Sequence, residues 1–386
     1  MMDSLSTIHK LCSDCFREII DYLTAYEVRR LLTSGDGSII HIVRHSTERL
    51  VKRDRCDKII WPKMIPNLPN LKILELYSDR VISKFTLNDM PKSITRLALN
   101  LHDHSISKLL PPRKGILSRI WNSIGNPQEI DTNPKTITVD FQDIMNALPN
   151  LLSLSLFTSI ANLRFGKLYR LTNVEALPLV ELDIRWRPLN CDGGMSQFPI
   201  TLKKLTYSMT HYSISSLTEH SHTLNLSLLT ALEYLDVDVL RINLCADAIP
   251  ESLRTLKIFC MDSVRPVEWC FNHGPLFPSQ LTYLKIDYYL RDLAMIPQNV
   301  MDDLPTSLIT LKLPYISSDS LISLQKLSQL QVLRCYNLKW EDGSSPNDLQ
   351  HLPRSLTKVS NCFGISSIFK EYLPFACKVS SKTYIR

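Results

Sequence analysis

Glycine is scarce in this chain, with 10 residues in 386. That excludes collagen-like and glycine-rich low-complexity chains. No apolar run approaches the ~18 residues that a membrane-spanning helix needs, so no membrane partner is expected. Met1 to Thr7 lack both a basic lead and an apolar core, so no secretory signal is read there. A strong excess of one charge is missing as well. The net charge is +6 with 21% charged residues, milder than a dedicated nucleic-acid binder carries. The 10 cysteines then read as reduced thiols, mostly buried, and the expected compartment is cytoplasmic or nuclear. Gly-rich phosphate loops, His-Glu-x-x-His and Gly-x-Ser-x-Gly are all absent. Cys12-x-x-Cys15 with His9 has no second ligand pair nearby, so structural thiols are the better reading than a zinc site. Neither an enzyme nor a cofactor is expected.

Leucine is what the chain has in abundance: 61 of 386 residues. Much of it recurs in one pattern, an apolar residue with proline, a short turn, then Leu-x-x-Leu-x-Leu or a close variant. Leu68-Pro69-Asn70-Leu71 leads to Leu74-x-Leu76, and Leu148-Pro149-Asn150-Leu151 leads to Leu154-x-Leu156. Leu304-Pro305-Thr306-Ser307-Leu308 leads to Leu311-x-Leu313. The first residues of the final pairs are 74, 97, 154, 182, 205, 235, 256, 284, 311, 333 and 359. All but one of the gaps, the 57 between 97 and 154, lie close to the 20–29 of leucine-rich repeats. Leu-x-Leu is a period-two strand with one buried face, and Leu-Pro breaks whatever precedes it. Leu321, Leu324, Leu327 and Leu330 mark a helix-like stretch between strands. One unit cannot bury its apolar face alone, but stacked units share a continuous core. The fold class expected is α/β: a solenoid with a parallel sheet and helices or turns between the strands. Residues 101–135, rich in proline and glycine, read as an insertion or irregular unit. Ile137-Thr138-Val139 has strand character without an evident place.

The first fifty residues change period. Phe16, Ile19, Ile20 and Leu23 fall on one helical face, with Ser13 and Asp14 at its start. Thr24-x-x-Glu27 fits a capping box for a second helix carrying Val28, Leu31 and Leu32. Gly35 and Gly37 break the chain, and Ser38 suits the cap of a third helix with Ile39, Ile42 and Val43. The organisation expected is a tail at 1–8, a helical module at 9–50, a linker at 51–66 with a solvated basic run, and the solenoid at 67–386.

The repeats resemble leucine-rich-repeat solenoids, and their Pro-x-Ser-Leu variants resemble FNIP-type repeats. Leu11-Cys12-Ser13-Asp14-Cys15-Phe16-Arg17-Glu18-Ile19-Ile20-Asp21-Tyr22-Leu23 resembles an F-box, followed by Val28, Leu31 and Leu32 where that family has its second apolar set. Cys12 stands where the family has proline, and Thr33-Ser34-Gly35 departs from its usual stretch. The resemblance implies a Skp-type adaptor and cullin scaffold as partners, and a substrate-receptor role in ubiquitin ligation. It implies adaptor contacts at Leu11, Cys12, Phe16, Ile19, Ile20, Leu23, Val28, Leu31 and Leu32, some of which must form the module's own core. The alternative is a binding scaffold whose N-terminal helices merely cap the solenoid.

In Leu-x-Leu the middle residue points away from the core. In sequence order these are Glu75, Ala98, Ser155, Asp183, Thr206, Asp236, Lys257, Lys285, Lys312, Arg334 and Ser360. Neighbouring strands lie ~4.8 Å apart, so Lys257, Lys285, Lys312 and Arg334 would form a ladder of like charge. A solvated face is the plain reading. The sharper one is a docking strip for an acidic or phosphorylated segment of a target protein, flanked by Phe259, Tyr283 and Tyr336.

Overall fold

The computed structural model describes residues 19–20, 23, 25–52, 64–76, 87–101, 136–158, 168–185, 198–208, 222–223, 226–239, 242–245, 248–260, 267–270, 275–288, 295–339, 345–360 and 378–380. Leu11, Cys12 and Phe16, the cap expected at Thr24, and all but Leu101 of the insertion or irregular unit expected at 101–135 lie outside these residues. Contacts divide the chain into two units, Met1–Asn190 and Cys191–Arg386. Each contains a parallel ladder with one strand for every Leu-x-Leu pair and one strand more, Arg49–Lys52 in the first and Lys378–Ser380 in the second, the architecture of a leucine-rich-repeat solenoid.

The first unit opens with α1 (Ala25–Leu32) and α2 (Gly37–Ser46), then β1 (Arg49–Lys52), β2 (Ile73–Leu76), β3 (Arg96–Leu101) and β4 (Thr136–Asp140). It continues with α3 (Phe141–Ala147), β5 (Ser153–Thr158), β6 (Leu168–Thr172) and β7 (Glu181–Arg185). The ladder runs β1-β2-β3-β5-β7, all parallel, and it starts at Arg49. Arg49–Lys52 was expected to close the helical module and open the linker, but its backbone pairs with Ile73–Leu76. The strand suspected at Ile137–Val139 is β4, and its partner is β6.

The second unit holds β8 (Lys204–Ser208), β9 (His222–Thr223), β10 (Tyr234–Val239), β11 (Ile242–Cys245), β12 (Thr255–Cys260), β13 (Val267–Cys270) and β14 (Tyr283–Tyr288). Then come α4 (Gln298–Asp302), β15 (Thr310–Ser317), α5 (Leu321–Leu324), β16 (Val332–Lys339), β17 (Lys358–Ser360) and β18 (Lys378–Ser380). Its ladder runs β8-β10-β12-β14-β15-β16-β17-β18, with β9-β11-β13 as a separate small sheet. Among the described residues, no helix is long and apolar enough to cross a membrane.

The repeat motif dictates this ladder through local chemistry. In each Pro-x-x-Leu turn the leucine N–H donates to the proline carbonyl: Leu253 to Pro250, Leu281 to Pro278, Leu308 to Pro305, Leu356 to Pro353. The chain then extends, and two successive N–H groups converge on one carbonyl of the preceding repeat. Arg254 and Thr255 share Glu233, Thr282 and Tyr283 share Arg254, and Ile309 and Thr310 share Thr282. The serine of Pro-x-Ser-Leu ties repeats together. Ser252, Ser307 and Ser355 each donate at 2.8 Å to a leucine carbonyl one repeat earlier, at Leu232, Leu281 and Leu330. Asn70 and Asn150 do similar work from Pro-Asn-Leu turns, donating to His45 and Lys92 carbonyls. The period-two leucines are inside: Leu235, Leu256, Leu284 and Leu311 are completely buried. Each contributes about 1.5–3 kcal/mol relative to exposure.

Two local expectations are corrected. Asp36, not Ser38, caps α2, and its carboxylate accepts from the Ser38 and Ile39 N–H groups at 2.9 and 3.1 Å. Ser38 is instead a donor there. The leucine run from 321 is helical only to Leu324. Leu327 and Leu330 continue as i→i+3 turns, donating to Leu324 and Leu327. A spacing of three matches such tight turns better than an α-helix of 3.6 residues per turn. All four leucines are buried all the same.

Candidate functional site

Positions 257, 285, 312 and 334 occupy one register row. Lys257 is the Cα partner of Lys285, Lys285 of Lys312, and Lys312 of Arg334. They line one cavity of about 290 Å³ with Asp236, Tyr283, Ile286, Asp287, Leu313, Pro314 and Tyr336. Six of the seven residues expected at the strip therefore meet. Phe259 is the exception, because it lies two residues beyond Lys257 as the Cα partner of Asp238 and Asp287, outside the cavity lining.

The ladder of like charge is relieved in two ways. Aromatic rings stand between the ammonium groups. Lys204 lies 5.4 Å and Lys257 4.7 Å from the Tyr234 ring centre, while Lys257 and Lys312 lie 5.7 and 4.9 Å from that of Tyr283. Each such contact is worth about 0.5–1 kcal/mol at an exposed site. Carboxylates supply the second relief: Asp236 sits 3.7 Å from Lys257, and Asp287 3.6 Å from Lys285. Lys257 also donates to the Tyr234 hydroxyl at 2.6 Å, and that hydroxyl donates to Asp236 at 3.1 Å. Burial works to lower the Lys257 pKa, but its bond to Tyr234 and the nearby Asp236 outweigh burial and raise it. The Tyr234 pKa is raised too, chiefly by burial and with help from Asp236. Lys312 has no carboxylate in ion-pair range among the described residues.

A cause for the cavity lies in the ladder. Pairing between β14 and β15 ends at Lys285 with Lys312, although both strands continue. Between β12 and β14 it runs on to Cys260 with Tyr288, and between β15 and β16 to Ser317 with Lys339. Pro314 comes two residues after Lys312 and has no N–H to offer. Ile286 and Asp287 on one side and Leu313 and Pro314 on the other line the resulting notch.

Reasoning from the sequence missed Tyr234, Lys204, Asp287 and Pro314. Following the alternation one step before each Leu-x-Leu would have exposed Lys204 and Tyr234, which are Cα partners. In the first unit the acidic residues of this row have their own partners. Glu75 is buried with Arg96 3.6 Å away, and Asp183 takes a two-pronged contact from Arg185 at 2.9 and 3.1 Å.

The N-terminal helices separate the residues expected to touch an adaptor. Ile20 and Val28 are buried, as are Ile39 and Val43, so they serve the core. Leu23, Leu31 and Leu32 are half-buried, and Ile19 is 43% exposed. Tyr26, at 47%, is a second exposed large hydrophobic side chain. Helix α1 packs against both α2 and β1. Among the described residues no group of three or more His, Cys, Asp or Glu side chains is arranged to hold a metal.

No protein-family model matches the chain, and no curated protein matches it in sequence. Among solved structures it is similar to an internalin from Listeria monocytogenes, at 18% identity and a TM-score of 0.44, covering 94% of this chain and 95% of that one. It is also similar to CroV588, described as a circular leucine-rich-repeat protein, at 15% identity and a TM-score of 0.33, covering 82% of this chain and 50% of that one.

Proposed function

We propose that this protein is a non-enzymatic receptor: its second unit docks an acidic segment of a target protein, and its N-terminal helices recruit a Skp-type adaptor of a cullin-based ubiquitin ligase. The observation carrying the docking role is the cavity in which Lys257, Lys285, Lys312 and Arg334 line up on four strands. Four cations against the carboxylates of Asp236 and Asp287 leave the lining with an excess of two positive charges (4 − 2). Charge of that kind speeds encounter with an anionic partner and selects for it. The receptor contributes no bond chemistry; holding a target near a conjugating enzyme accelerates transfer by proximity. The adaptor half rests on the F-box resemblance of residues 11–23 and on the exposure of Ile19 within that stretch and of Tyr26 just after it.

Co-expression with a Skp-type adaptor, followed by size exclusion, tests the adaptor half. A one-to-one complex is expected, lost on Ile19→Asp with Leu23→Asp while the circular dichroism spectrum is kept. Val28→Asp, at a completely buried position, is expected to unfold the module instead. A well-behaved monomer that ignores the adaptor would overturn the ligase role.

A second reading keeps the docking face and drops the ligase. It is favoured by the packing of α1 on β1 and by Thr47, which leads from α2 into that strand while fully buried. Its hydroxyl donates to the Val43 carbonyl at 2.6 Å. In this reading the helices cap the first repeat of a binding scaffold.

A further inference from the structure

We infer that the notch between β14 and β15 takes a single phosphoryl group, a phosphate monoester on the partner segment, rather than a run of carboxylates. This deepens the docking role proposed above and rests on it. Lys285, Lys312 and Arg334 are successive Cα partners, so their backbone origins span only ~10 Å across the strands. One carboxylate carries one charge and two oxygens. A phosphate monoester carries about −1.5 to −2 with three acceptor oxygens, and so balances the excess of two positive charges on the lining as one carboxylate does not.

The flanking carboxylates point the same way. Asp236 and Asp287 line the same cavity, and Asp238 is two residues along β10. A long polyanion crossing this face would meet all three. A single dense charge seated beside Lys312 lies three strands from Asp236 and Asp238 on β10 and meets, of the three, Asp287, whose charge Lys285 offsets at 3.6 Å. The cavity, about 290 Å³, has room for a phosphorylated side chain. The place is set by Pro314. Where β14 and β15 stop pairing, the sheet surface gains depth that a continuous ladder would lack. Tyr283 and Tyr336 wall the notch. Tyr283 is held beneath Lys312, which keeps that ammonium beside the opening.

Fluorescence polarisation on the full chain tests this with three matched degenerate peptide pools. Their central residue is fixed as phosphoserine, phosphothreonine or phosphotyrosine in the first, as glutamate in the second, and as the unmodified residue in the third. The phosphorylated pool is expected to bind at least tenfold tighter than the glutamate pool. Lys312→Gln and Pro314→Val should each erase most of that preference with circular dichroism unchanged. Lys358→Gln, exposed on β17 outside the cavity, should leave it intact. Equal binding of the phosphorylated and glutamate pools would overturn the phosphoryl site while leaving the acidic-segment role standing. No binding by any pool would overturn both. Inorganic phosphate competing as well as the peptide would mean a free-anion site, and a single-stranded oligonucleotide binding tighter than every pool would mean a nucleic-acid face; each defeats the inference.

Discussion

Lys257 is held by three kinds of interaction at once: the Tyr234 hydroxyl, two tyrosine ring faces and the Asp236 carboxylate. They raise its pKa despite partial burial, and Tyr234 is raised as well. Tyr288, buried near Cys260, is pushed up most strongly, mainly by burial. All three groups bind their proton more tightly folded than unfolded. Their contribution to stability is therefore complete below the ordinary pKa values, about 10 for tyrosine and 10.4 for lysine, and is lost as pH rises through the raised ones. Urea unfolding followed from pH 8 to pH 11 should show stability holding at first and then falling. Tyr234→Phe removes one of the three groups and the bond to Lys257, so it should flatten part of that fall. At neutral pH it should cost about 1 kcal/mol for the lost hydroxyl bonds. An unchanged alkaline profile would show that the Tyr234–Lys257 pair contributes nothing.

At the scale of the element, the unit that repeats is a turn, a strand and a tie to the previous turn. The ties are the serines of Pro-x-Ser-Leu, whose hydroxyls reach leucine carbonyls 20 to 26 residues earlier in the cases of Ser252, Ser307 and Ser355. Ser307→Ala should cost about 1 kcal/mol in urea unfolding, more if the Leu281 carbonyl is left without a replacement partner. Combined with Ser355→Ala the losses should add, since the two ties lie in different turns. The turns were legible in the sequence as Leu-Pro followed by a leucine. The tie was not, because a hydroxyl's partner on another repeat becomes visible only when the repeats are in register. The misplaced cap of α2 has a similar origin: Asp36 and Ser38 both suit a helix start, and the backbone geometry at Asp36 decides between them.

For the whole molecule, a repeat array in which each strand touches only its neighbours distributes stability along the chain. Leu284 is completely buried between β12 and β15, so Leu284→Ala should cost about 2–5 kcal/mol. Proteolysis should show that loss concentrated in the second unit. Cleavage spread equally over both units would argue against nearest-neighbour behaviour. The same mutation should weaken peptide binding at the notch, since Leu284 lies between Tyr283 and Lys285 on β14.

By itself the sequence determined the repeat, the strands, the buried leucines and the row in which four cations fall abreast. Those properties follow from period-two alternation and turn chemistry, which act over a few residues. Tertiary structure decided what that row can do. Asp236 neutralises a lysine on the next strand, Tyr234 and Tyr283 separate ammonium groups, and Pro314 ends a pairing that opens the notch. It also assigned Ile20 and Val28 to the core and left Ile19 at the surface. Each of these depends on groups twenty or more residues apart, or on which side of a helix finds a neighbour, and short-range pattern carries neither.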